Sequence, residues 1–175
     1  MRNFFKDDLF LTDFSSIFNN RKNPKYPEWI NIRWFRLSEA FPSILTEKIN
    51  NKFIYFQDPG FSLTSQTFLQ HKYLFAVFKT LENRPKILKR LFVDQKISRK
   101  GQYSVRICQD GVWKSVIIDD FVPCVKQGKG YNGAFLKCEG MVWPVLLEKT
   151  LAKIYCSYES LEKGDSGETL RDLTG

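Results

Sequence analysis

The stretch from Gln102 to Cys124, QYSVRICQDGVWKSVIIDDFVPC, holds two apolar–polar alternations around an Asp-Gly pair. Alternation at period two is the pattern of a strand with one buried face, and Asp110-Gly111 suits a two-residue turn with positive φ. The reading is a hairpin, with strands at 102–108 and 112–119. Working outward, AFLKC (134–138) offers a third strand. WPVLLEKTLAKIYCSY (143–158) reads as an amphipathic helix: Pro144 suits its first turn, and Leu146, Leu147, Leu151 and Ile154 share a stripe. SGETLRDL (166–173) makes a short final helix with Ser166 as its cap. Upstream, a helix is predicted near 67–80, followed by one at roughly 85–93 that turns Ile87, Leu88, Leu91 and Phe92 inward. Residues 1–60 form a loop-rich arm, with NNRKNPKYPEW and FQDPGF as turn signals, and residues 61–175 form the body. The arm carries Phe4, Phe5, Phe10, Trp29, Trp34 and Phe35, so it is expected to pack along the body. The order of arm, two helices, hairpin and helices defines an α+β fold.

Composition narrows the classes. The chain has 175 residues, 43% of them hydrophobic and 15% aromatic, which excludes a disordered tail and allows one sizeable core. No apolar run approaches the ~18–20 residues that span a bilayer. The opening MRNFFKDDLF has acids within its apolar run, against a signal peptide. Cys108, Cys124, Cys138 and Cys156 form no CxxC pair and no dense framework, and are read as reduced thiols of a cytoplasmic protein. The single histidine, His71, is far from them in sequence, which argues against zinc.

A net charge of +8 makes an acidic partner plausible, and the charge is uneven. Between residues 84 and 100 stand Arg84, Lys86, Lys89, Arg90, Lys96, Arg99 and Lys100, against the single acid Asp94. One reading is a helix with solvated lysines; the other is a basic docking face for an acidic protein surface. Zinc fingers, RNP-type strands and a Gly-rich phosphate loop are lacking, which argues against nucleic acid. Lys72 raises a separate question, because it stands in TSQTFLQHKYLFAVFKTL (64–81) among Phe68, Leu69, Leu74, Phe75, Val77 and Phe78. An ammonium is costly to bury without a partner.

Four segments resemble the calpains, papain-like cysteine proteases. DGVWKSVIIDDFVPC (110–124) resembles their W-x-x-V-x-I-D-D-x-x-P strand through Trp113, Val116, Ile118, Asp119, Asp120 and Pro123. Leu146, Leu147, Glu148, Lys149, Ala152 and Lys153 resemble the L-L-E-K-A-x-A-K helix, with Thr150 the departure. Ser157, Tyr158, Glu159 and Leu161 resemble the S-Y-E-x-L turn, and Asp172 to Gly175 the D-[FL]-T-G exit. Taken singly, Asp119-Asp120 also reads as a solvated turn, and Glu148-Lys149 as a surface ion pair. The arm resembles the family more weakly, through residues 7–18 and 34–41. The implied fold is the first half of the papain-like core: a central helix, the antiparallel hairpin and C-terminal helices.

The resemblance also implies where chemistry belongs. The family keeps its nucleophile in Q-G-x-L-G-D-C-W-x-x-A, at a helix N-terminus whose positive end favours a thiolate. The matching positions run from Gln66 through Thr67, Gln70, His71, Lys72 and Tyr73 to Ala76, so Lys72 stands on the cysteine. Gln66 keeps the residue that supports the oxyanion, and a donor without a nucleophile catalyses little. His71 occupies the aspartate of the G-D-C step and is read as a solvated or hydrogen-bonded helix-start residue. The family's histidine and asparagine belong to the half that follows D-[FL]-T-G, beyond Gly175. Its two calcium carboxylates fall, without gaps, on Leu63 and Met141, so neither calcium nor another cofactor is expected.

The expected function is a non-catalytic calpain-like domain serving as a structural or interaction component of a larger assembly. Its apolar contacts are expected near residues 61–75 and 131–143. The Asn-, Lys- and Phe-rich composition resembles protist, especially ciliate, calpains, which suggests a ciliary or cytoskeletal setting with tubulin or axonemal proteins as partners. Two alternatives stand beside it: one half of a split calpain-type protease, or a regulator that binds calpain substrates or partners without cleaving them.

Overall fold

The structure is a computed structural model, and it describes residues 4–20, 25–42, 71–128, 130–136 and 141–175. The predicted residues 61–70, with Leu63 and Gln66, and residues 137–140, with Cys138, lie outside the described residues.

The hairpin follows the alternation. Strand β2 (Gln102–Gln109) pairs antiparallel with β3 (Val112–Asp119), with Val105 opposite Val116. Asp110 and Gly111 both take positive φ, 50° and 75°, as a turn matching the right-handed strand twist requires. Tyr103, Val105 and Ile107 point into the core, and Arg106 points out.

One residue after β3 the chain enters a second sheet. Strand β1 (Arg33–Arg36), from the arm, pairs with β4 (Phe121–Gln127), which pairs in turn with β5 (Gly130–Gly133), in the order β1-β4-β5. Among the described residues the hairpin gains no third strand: β5 precedes the predicted 134–138 and pairs with β4 in the other sheet. Gly133 is the reason: a Cβ there would lie 2.0 Å from the Leu136 carbonyl oxygen, so the chain folds back on itself. Ala134, Phe135 and Leu136 enter the core instead of extending a strand.

The helices fill the rest. After a short α1 (Leu37–Ala40), α2 (Lys72–Glu82) buries Leu74, Val77, Phe78 and Leu81, the stripe expected of one helical face. The short α3 (Pro85–Leu91) starts on proline and ends before the predicted 93, because Phe92 turns extended and bridges to Val105. Helix α4 (Trp143–Ile154) is enclosed on nearly every side, from Trp143 to Ala152, whereas α2 is covered on one face only. It stops short of the predicted 158, where Cys156 takes φ 75° and breaks the helix. Helix α5 (Ser166–Thr174) is capped by Asp165, not by the expected Ser166: the carboxylate accepts from the Gly167 and Glu168 amides at 2.8 and 2.9 Å.

The arm belongs to this core. Ile17, Phe18 and Trp29 are buried in one cluster with Phe135 and Tyr158. Trp29 meets Phe135 edge-on at 5.0 Å, and Phe135 stacks on Tyr158 at 4.7 Å. The backbone amides of Tyr158 and Glu159 donate to Ser16 and Ile17 at 2.9 and 3.0 Å. Among the described residues no helix is long and apolar enough to cross a membrane.

Candidate functional site

Lys72 is the first residue of α2 and is exposed, so its ammonium reaches water and the cost of burying it does not arise. The residue before it is the buried one. His71 is fully enclosed, with Nε2 2.8 Å from Oε1 of Glu148 on α4. Burial raises Glu148 above the ordinary carboxylate range, and the His71 hydrogen bond opposes that rise. Tyr73, half-buried, lies against Gly164, and burial pushes its phenol up to about 12. The head of α2 thus presents a cation to solvent and a histidine to the interior.

Cys108 and Cys124 are buried and Cys156 follows α4. Burial pushes Cys124 up to about 12, the opposite of what a thiolate nucleophile needs. Met141, just before α4, is fully buried, and its thioether is a poor ligand for a hard cation. Among the described residues no group of three or more His, Cys, Asp or Glu is placed to hold a metal ion.

The acidic and basic residues of the two longest motifs meet one another across the core. Lys149 is fully buried and donates to the equally buried Asp119 carboxylate and, at 2.5 Å, to the Phe121 carbonyl. Asp119 also accepts the Asp7 amide at 2.8 Å and the Phe121 amide at 3.0 Å. Asp7 in turn takes Lys153 at 2.6 Å, and Asp120 takes Arg36, which also donates to the Phe5 carbonyl at 3.1 Å. Burial lowers Lys149, against the neighbouring Asp119, Asp7 and Asp120, which hold its proton. The solvated turn at Asp119-Asp120 and the surface pair Glu148-Lys149 are both corrected: all four are buried, and their partners tie the arm, β3 and α4 together. Ser157 and Ser160 do the same for the arm's end, donating to Asn19 at 2.6 and 2.7 Å.

The seven basic residues of 84–100 are all exposed. Lys86, Lys89 and Arg90 of α3 border a groove of about 350 Å3 that continues to Arg106 of β2, while Arg84, Lys96, Arg99 and Lys100 lie outside it. Arg106, Trp113 and Lys114 line an adjoining cleft and were not singled out as a surface from sequence. Arg106 was findable, since it takes the outward position between the inward Val105 and Ile107.

A mixed α+β core, two antiparallel sheets against helices and a helix head at residue 72 define the class of papain-like domains. Residues 5–175 match the calpain family of cysteine proteases. Calpain-10 of Mus musculus is 30% identical over 185 residues, covering 99% of this chain and 25% of that protein. Calpain clp-1 of Caenorhabditis elegans is 30% identical over 174 residues, covering 98% and 20%. The calpain-type cysteine protease ADL1 of Oryza sativa subsp. japonica is 28% identical over 179 residues, covering 98% and 8%. The chain therefore spans a quarter or less of the length of these relatives. It belongs to the calpain family.

Proposed function

We propose that this chain is a non-catalytic calpain-family domain, kept for its fold and serving as a structural and interaction component of a larger assembly. Lys72 carries the reading. The family's motif requires a thiol at this position, and the exposed lysine that stands there has no sulfur with which to form a thioester with substrate. The chain's one histidine is engaged with Glu148 in the interior and is not presented to solvent as a base. Calcium is not expected either, since Met141 stands on the second carboxylate position. A ciliary or cytoskeletal setting within the cytoplasm, with tubulin or axonemal proteins as partners, is the finer form of the same proposal. It rests on composition and on the basic segment.

The test is covalent labelling. A peptidyl epoxide that alkylates activated cysteine nucleophiles is incubated with the chain in calcium, and intact mass is measured. No adduct is expected on the native chain; a stoichiometric, calcium-dependent adduct overturns the proposal.

A further inference from the structure

The clefts on the α3–hairpin side share two walls. One, of about 350 Å3, is bordered by Lys86, Lys89, Arg90 and Arg106; the other, of about 250 Å3, by Arg90, Arg106, Lys114 and Trp113. Because Arg90 and Arg106 belong to both, the two run as one groove from α3 to β3. Among the described residues no carboxylate lines either cleft. None of the five cations has an ion-pair partner among the described residues, whereas Lys25, Arg36, Lys149 and Lys153 each have one. Five like charges along one groove, with Asp94 between the lining Val93 and Gln95 as the neighbouring acid among the described residues, leave a net positive site for an anion. Trp113 and Val112 add exposed apolar surface at the same end.

The neighbouring backbone selects among anions. Strand β3 is paired by β2 on one side only, and among the described residues no strand takes its other edge. Lys153 covers the Ile117 carbonyl at 2.7 Å, which leaves the Val112–Ser115 end beside the groove uncovered by it. An extended peptide can add to such an edge with main-chain hydrogen bonds, place side chains alternately, and give its carboxylates to the guanidinium forks. A nucleic acid has no ladder to match that edge, and the clefts hold side chains, not a duplex. We propose that this groove binds an extended acidic segment of a partner protein. Its carboxylates sit on Arg90 and Arg106, and an apolar side chain packs on Trp113. The inference rests on the reading of the chain as an interaction component, and it places recognition in the helix–hairpin groove instead of spreading it along residues 84–100.

The probe is a short fluorescein-labelled peptide of alternating Glu and Val, titrated with the 175-residue chain by fluorescence anisotropy at low and high salt. Arg90→Glu with Arg106→Glu is expected to weaken binding by about tenfold or more, and Trp113→Ala by a few-fold. Lys126→Glu, an exposed cation on β4 in the other sheet, is expected to stay within about twofold, and the native affinity is expected to fall as salt rises. Equal binding by the double variant, or an equal loss with Lys126→Glu, overturns the groove. So does tighter binding of an oligothymidylate of the same charge, which assigns the surface to nucleic acid. Loss of the groove leaves the non-catalytic reading standing, and an epoxide adduct with peptide binding intact removes that reading alone.

Discussion

Glu148 and Lys149 are neighbours in α4, yet each is held by a different element, His71 ahead of α2 and Asp119 at the end of β3. Removing one member of a buried pair leaves the other charge uncompensated, so Lys149→Met is expected to cost about 3–5 kcal/mol. Urea denaturation of Lys149→Met, Asp119→Asn and the double variant checks this: the double variant should be less destabilised than the sum of the singles. For Glu148 the expectation concerns pH. Burial raises its folded-state value above that of the unfolded chain, so the stability tied to its proton is full below about pH 4 and is lost as pH rises through the raised value. Glu148→Gln does not titrate. The native chain's stability relative to Glu148→Gln should fall as pH rises above about 4, and a flat difference in denaturation midpoints would refute it. These partners were not legible in the sequence. Periodicity marks which side faces inward, but a charge pair 30 residues apart leaves no periodic trace, so Lys149 and Asp119 read as solvated.

Where structure is set locally, the elements were legible. The hairpin is fixed by alternation and an Asp-Gly turn, and α4's start by Pro144, all within a few residues of one another. Misreadings fall where a distant contact decides. Leu136 returning over Gly133 leaves the expected 134–138 strand unformed, with β5 at 130–133 joining β4 and not the hairpin, and the pairing of Phe92 with Val105 ends α3 early. The cap of α5 is a near miss of another kind: Asp165 and Ser166 are both good caps, and the one whose oxygen reaches two amides prevails. Asp165→Ala is therefore expected to lower stability by about 1 kcal/mol, seen as a lower thermal midpoint, while Ser166→Ala is expected to change it little.

At the level of the whole chain, the family lies in the motifs, and the proposed non-catalytic role rests on one departure from them. Asp119, Asp120, Glu148 and Lys149 are scaffold: they tie the arm, hairpin and helices into one core. The helix expected near 67–80 begins at Lys72 and ends at Glu82, so the place of Lys72 at its head was legible from the family motif and not from the apolar stripe. The solvent exposure of Lys72 and the burial of His71 were not legible, because both depend on where α4 passes. The measurement that bears most directly on the non-catalytic reading is hydrolysis of denatured casein by the purified chain and by Lys72→Cys, each in calcium and in chelator. Neither should release fragments, because restoring the thiol supplies no solvent-facing histidine in this chain. Calcium-dependent fragments from the native chain would contradict the account.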